Sequence, residues 1–366
     1  MALVTVFNGD PNVNDINHIL DWIVDLLLPF WDGIYFTQTC SHPLGHVVRG
    51  ILIPIVCDVV GAHHVSGFGS HSHKLFCTQC LLLKSDINNI DMATWPKCNL
   101  QKHQLWAQEY HKATSDEERD HIVNTYGVRW TALLRLPYWN PIAHTVIDSM
   151  HLCKGLAETH VRGVLGIEGD AKPKATLKSK FKPPAALLCS LWDGIRKAPE
   201  NLSQWLDSKV NKNTTNRHTT LHSAYLIQPA PLAWGTPSGG KLSANHWKVI
   251  CTIHLVVTLI RVWAYGNDGT KLPLLQNFLH LVRALQILNL RSTSKQLSEA
   301  YTSEMLQYLT TLQELFPNWE FVPNQHYSLH MGEFLQTMGP LHARDTSAFE
   351  RVNHELRDTT TNRRIG

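Results

Sequence analysis

Charge is what this chain is shortest of. Asp, Glu, Lys and Arg make up 17% of its 366 residues, below the usual share of about a quarter. The formal net charge is +3, a balance that neither demands nor excludes nucleic acid as a partner. No compact Lys/Arg cluster of the nuclear-localisation kind stands out, and no internal repeat or low-complexity tract is evident. The longest apolar runs, residues 51–60 and 23–28, fall short of the roughly 18 residues that a membrane helix needs, so no membrane partner is expected. The opening MALVTVFNGDPNVND has neither a basic n-region nor a long apolar core, so no signal peptide is expected. Cysteines are scattered at positions 40, 57, 77, 80, 98, 153, 189 and 251, and only Cys77 and Cys80 are close enough to pair as ligands. A secreted disulfide scaffold is shorter and denser in cysteine, which points to an intracellular, reducing compartment.

What is present is apolar content and histidine. At 43% apolar residues the chain can bury a substantial core, and its length suits two or three domains. ALVTVF, residues 2–7, reads as a strand ended by the Asn8-Gly9 turn signal. Ile16, Ile19, Leu20, Ile23, Val24 and Leu27 follow at helical spacing, which predicts a helix capped by Asn14 and stopped at Pro29. GILIPIVCDVV, residues 50–60, is a continuous apolar run of the kind a strand buried on both faces shows. Residues 63–80 read as a Gly/Ser/His loop closing on FCTQC, residues 94–129 as polar helix, and residues 148–165 as helix. Lys172, Lys174, Lys178, Lys180 and Lys182 mark a basic exposed linker, and residues 229–240 a second break. Tyr301, Met305, Leu309, Leu312 and Leu315 form an apolar helical stripe, and residues 324–366 read as two short helices joined around Gly339-Pro340. The outline predicts an α/β unit interrupted by a mostly helical insertion, with a core over 1–150, the insertion over 151–320 and the rest of the core over 321–366.

Two constellations carry chemistry. Cys77 and Cys80 can hold one zinc ion from a tight turn, which then needs two more ligands. His326 and His330, four apart, share a helix face and supply the best remaining pair; the alternative is that both merely cap or pack a helix. His63, His64, His71 and His73 are a rival cluster, read as a mobile loop because it is rich in Gly and Ser and lacks helical phase. An open zinc site there would make the protein a zinc hydrolase, the third and weakest reading. Among carboxylates, Asp58 closes the apolar run, where an unpaired charge is costly unless it pairs, binds metal or faces a cleft. Glu350 stands among Arg351, Arg357, Arg363 and Arg364, and Asp148 shares the IDSMH segment with His151.

At LPYWNPIAHTVIDSMH, CDVVGAHHVSGFGSHSHKLFCTQC and FERVNHELRDTTTNRRIG the chain resembles CACTA/En-Spm-type transposases of the DDE class. The likeness runs from INHILDWIVDLLLPFWDGIYFTQT to the last residue. It implies an RNase H-like fold with a DDE metal triad, interrupted by a helical insertion before the glutamate. Asp58 matches the second aspartate, Glu350 the glutamate of the FER motif, and Asp148 with His151 the DxMH motif. Cys77 and Cys80 match the CxxC. The spacing also resembles the V(D)J recombinase core, in which a histidine pair precedes the glutamate, and this implies a structural zinc at Cys77, Cys80, His326 and His330. Magnesium or manganese at Asp58 and Glu350 would serve two-metal cleavage and joining of DNA at transposon ends. Nuclear location and a homo-oligomer are implied too. The first aspartate of the pattern lies upstream of the matched region, so an N-terminally truncated, catalytically incomplete chain is expected. The alternative is a non-catalytic DNA- or partner-binding module left from such an element.

Overall fold

The computed structural model describes residues 11–166, 242–264, 269–344, 346, 349–352 and 355. The strand expected over 2–7, the lysine segment 172–182, the break at 229–240 and Arg357, Arg363 and Arg364 lie outside the described residues. Two compact units divide the chain, Met1–Asp148 and Ser149–Gly366. The described residues are mixed α/β, mostly helical, with two small sheets.

The first unit is built from short elements. Helix α1 (Val13–Asp32) buries Ile16, Leu20 and Val24 against Ala132, Leu133, Leu136 and Trp139. Its N-cap is Asn12 rather than the expected Asn14. The Asn12 side chain accepts from the backbone N–H of Asn14 and Asp15, and Asp15 bonds back to the Asn12 N–H, a reciprocal box that satisfies the otherwise orphaned donors. Pro29 does not stop the helix. It sits in the last turn, its carbonyl still accepts the Gly33 N–H at 2.9 Å, and Gly33 ends the helix at φ 109°.

Strands β1 (Ile34–Phe36) and β2 (His46–Val48) form an antiparallel pair. Strand β3 (Ile55–Cys57) pairs in parallel with β4 (Thr145–Ile147), Cys57 opposite Ile147. The long buried strand expected over 50–60 is thus only three residues, and Ile51, Leu52 and Ile53 are exposed. Pro54 has no N–H for a ladder, and Asp58 begins helix α2 (Val59–Ser66) instead of extending the strand. The segment expected to be all loop from residue 63 therefore starts inside α2. Helices α3 (Leu100–Lys112) and α4 (Asp116–Tyr126) occupy the expected polar helical region, and α5 (Pro141–His144) leads into β4.

The second unit packs longer helices. Helix α6 (Ser149–Thr159) runs into a π-helical turn, His160–Val164. Helix α7 (Ala244–Ala264) alternates α and π turns. It is the one described helix long and apolar enough to cross a membrane, but Trp247, Ile250, Leu255, Leu259 and Trp263 lie in a core with Val161, Phe278 and Val282. Helices α8 (Leu272–Leu288), α9 (Lys295–Leu315) and α10 (Pro323–Thr337) complete the set. The expected stripe on α9 is buried at Tyr301, Met305, Leu309 and Leu312, with Tyr308 joining it and Leu315 half-buried.

Candidate metal centre

The CTQC turn is held by its own middle residues. The Gln79 N–H donates to Cys77 Sγ at 3.3 Å. The Gln79 side-chain amide donates to the carbonyls of Ile142 (3.0 Å) and Thr145 (3.2 Å), tying the turn to the start of β4. Past the turn, Leu81 N–H donates to Pro96 O at 2.8 Å and Cys80 bridges Lys97 in antiparallel fashion. Both cysteines are buried. Burial, with Cys80 beside it, holds the Cys77 thiol well above its usual range, so loading a metal here must displace a proton.

The histidine pair stands on α10, whose first turn carries Pro323, a residue suited to the N-terminal helical position. Helix α9 fixes it: Tyr301 Oη donates to Ser328 O at 2.8 Å and Ser298 Oγ to Gly332 O at 2.6 Å. A Cβ at Gly332 would stand 2.2 Å from Thr302 Oγ1, so glycine is what allows the two helices to close here. His326 and His330 are buried, with Nε2 atoms 3.3 Å apart.

Cys77, Cys80, His326 and His330 form a buried group that could hold a metal such as zinc. Their ligand atoms all lie within 4.8 Å of one another. Two nitrogens on one tetrahedral zinc, at about 2.05 Å each, stand about 3.3 Å apart, the spacing seen between the two imidazoles. Two cysteines and two histidines are a donor set that suits zinc. It is a closed set of four protein ligands, which leaves no position for substrate. Among the described residues, no other group of three or more His, Cys, Asp or Glu side chains is placed to hold a metal. The rival set His63, His64, His71 and His73 does not converge in this way. The magnesium or manganese expected at Asp58 and Glu350 is not supported by any such group among the described residues.

The expected carboxylates stand as follows. Asp58 is exposed and caps α2, its Oδ1 accepting the Gly61 N–H at 2.6 Å. Asp148, buried, follows β4. The Cys57–Ile147 register puts Asp58 and Asp148 after the ends of neighbouring parallel strands. Burial pushes the Cys57 thiol up to about 12, with Asp58 and then Asp148 adding to the effect. In the second unit, Glu350 Oε1 stands 3.2 Å from His151 Nε2, joining the FER glutamate to the DxMH histidine.

Gln79 was missed by sequence reasoning, and only its place inside the CxxC marked it. Arg129 was missed too; its backbone N–H donates to Gly67 O at 2.7 Å, which lays it against the histidine-rich segment. No protein-family model matches the chain, and no curated protein is similar enough to it to match.

Proposed function

We propose that this chain is a transposase-derived DNA-binding protein of the CACTA/En-Spm DDE class, with an RNase H-like core stabilised by a structural zinc at Cys77, Cys80, His326 and His330. The observation that supports this reading is the buried Cys₂His₂ group. The resemblance pairs a CxxC behind the second aspartate with a histidine pair before the glutamate, some 250 residues later, and these four side chains do gather. A closed zinc site of this kind stabilises a fold rather than performing chemistry. Transposon-end DNA is the partner in this reading, and the nucleus its place of work.

Catalysis is the weaker half of the ancestry. Two carboxylates, Asp58 and Glu350, match the triad, and a site for two divalent ions takes more ligands than these supply. One observation favours the non-catalytic module: both carboxylates are already engaged, Asp58 by its helix cap and Glu350 by His151. The test is a strand-transfer assay with terminal-repeat DNA and manganese, run beside a binding titration. The proposal expects salt-sensitive binding without joining. Joining that disappears in Asp58→Ala would show a complete site and make Asp148 the third carboxylate. Absence of binding even at low salt would overturn the DNA reading.

A further inference from the structure

The histidine-rich segment has a use that neither zinc nor the carboxylates absorb. Gly67, at φ 76°, turns the chain out of α2. Three contacts then lay residues 67–69 along residues 127–129: Gly69 N–H to Gly127 O, Arg129 N–H to Gly67 O, both at 2.7 Å, and the Phe68–Val128 bridge. Arg129 is thereby set among the histidines. Beyond the effect of burial, its charge lowers the pKa of His63, His64 and His73. The rings of His63 and His71 stand 6.4 Å apart, edge to face, and Lys74 adds a further cation beside His73.

Negative charge is scarce here. Among the described residues Arg129 is in no ion pair with a carboxylate, and its guanidinium donates to Phe68 O at 3.5 Å. Among the described residues Asp58 is the carboxylate whose charge raises a histidine of the set, His64, and its Oδ1 accepts the Gly61 N–H. His63 is fixed internally, its Nδ1 donating to Gly69 O. His73 accepts the Leu75 N–H on Nδ1 at 3.1 Å, which in the neutral ring puts its proton on Nε2, free to donate. His64, His71 and His73 are half-buried, and Ser72 and Lys74 exposed. Among the described residues the result is a concentration of donors with Asp58 as its counter-charge. A cation would be repelled by Arg129; a tetrahedral oxyanion would be held by its planar fork and by the imidazoles.

We propose that Arg129 with His64, His71, His73 and Lys74 forms a phosphate-binding surface that contacts the DNA backbone. This deepens the DNA reading above and rests on it. Burial, followed by the Arg129 charge, lowers the pKa of His64, and burial, Lys74 and Arg129 lower that of His73. A bound phosphate reverses that electrostatic balance, so binding tightens as pH falls and the imidazoles take up protons.

The experiment compares the full chain with Arg129→Gln, Arg129→Lys and the triple variant His64→Gln/His71→Gln/His73→Gln, each first checked for an unchanged melting profile. Histidine NMR during titration with inorganic phosphate reads the surface alone; fluorescence anisotropy with a labelled DNA duplex, at about pH 6 and about pH 8, reads the partner. Expected are phosphate-dependent shifts at His64 and His73. Binding to DNA should weaken about tenfold in Arg129→Gln, with the salt slope reduced by about one, and Arg129→Lys should recover part of the loss. The triple variant should lose the pH dependence. Variants that bind DNA as the parent does, with the same pH dependence, would overturn the inference and leave the DNA reading standing. Phosphate shifts without DNA binding at any salt would overturn the DNA reading and leave an anion surface. Imidazoles that ignore phosphate would overturn the surface itself.

Discussion

The two units use their polar groups differently. In the second unit, long helices bury theirs and satisfy many of them with one another: Tyr301 Oη with Ser328 O, Ser298 Oγ with Gly332 O, Asn277 Nδ2 with Tyr308 O at 2.7 Å, and His160 Nδ1 with Tyr308 Oη at 3.3 Å. The first unit has three-residue strands, helices of up to 20 residues and loops pinned by single side chains. Thr131 Oγ1 donates to Val65 O at 2.7 Å and Gln79 reaches the start of β4. It also leaves Trp22, Leu26, Leu44 and Leu52 exposed. Helix packing can hold the second unit. The first depends on individual bonds, because its three-residue strands bury too little apolar surface to be robust without such ties.

The comparison can be broken first at the metal. Cys77→Ser should remove bound zinc and cost on the order of several kcal/mol, since zinc binding is coupled directly to folding. Cys251→Ser, at a buried cysteine of the second unit, should keep the zinc and cost about 1–3 kcal/mol for burying a hydroxyl. Metal content and thermal melting of the two variants decide it; equal zinc in both would rule out Cys77 as a ligand. Next in size is packing. Leu309→Ala, at a fully buried position, should cost about 2–5 kcal/mol, while Leu26→Ala on the exposed side of α1 should stay within about 0.5 kcal/mol. Denaturant unfolding measures both.

Acid should weaken both units through buried neutral histidines. Burial lowers His160 to about 3, and His63 and His103 to about 4. The unfolded chain takes up these protons near pH 6.5, where the folded one does not. Stability is therefore complete above about pH 6.5 and falls below it until the folded values are reached, by up to about 1.4 kcal/mol per pH unit for each group. His160→Phe should flatten that slope in denaturant titrations between about pH 6.5 and 4.5; an unchanged slope would contradict the assignment. Smallest is Gly67→Ala. It places a side chain at positive φ with its Cβ 2.7 Å from Arg129 O, for a loss of about 1–2 kcal/mol, and should blunt the phosphate response without releasing zinc.

Legibility in the sequence followed the same divide. The α9 stripe was readable because apolar residues recurring at a helical period from Tyr301 to Leu315 fit little besides a packed helix face. His326 and His330 were readable as a same-face pair through the same period, and CTQC by its spacing. Residues 50–60 misled because an unbroken apolar run hides its own punctuation. Pro54 lacks a ladder donor, Asp58 is a good helix cap, and Gly67 is a good helix terminator; together they signal a short strand and a helix. The shift of the α1 cap from Asn14 to Asn12 turned on Asp15, the return arm of the capping box, which periodicity does not weigh. Gln79 and Arg129 escaped because their roles are set by partners more than 60 residues away in sequence.

The proposed function rests most on the buried group of Cys77, Cys80, His326 and His330, which would hold one zinc ion through two sulfurs and two imidazoles. X-ray absorption at the zinc edge of the purified full chain, with metal content measured on the same sample, tests this most directly. The expected result is one zinc per chain, with two sulfurs near 2.3 Å and two nitrogens at about 2.0–2.1 Å. A chain that folds and melts identically with and without zinc, or a bound zinc with no sulfur in its shell, would contradict it.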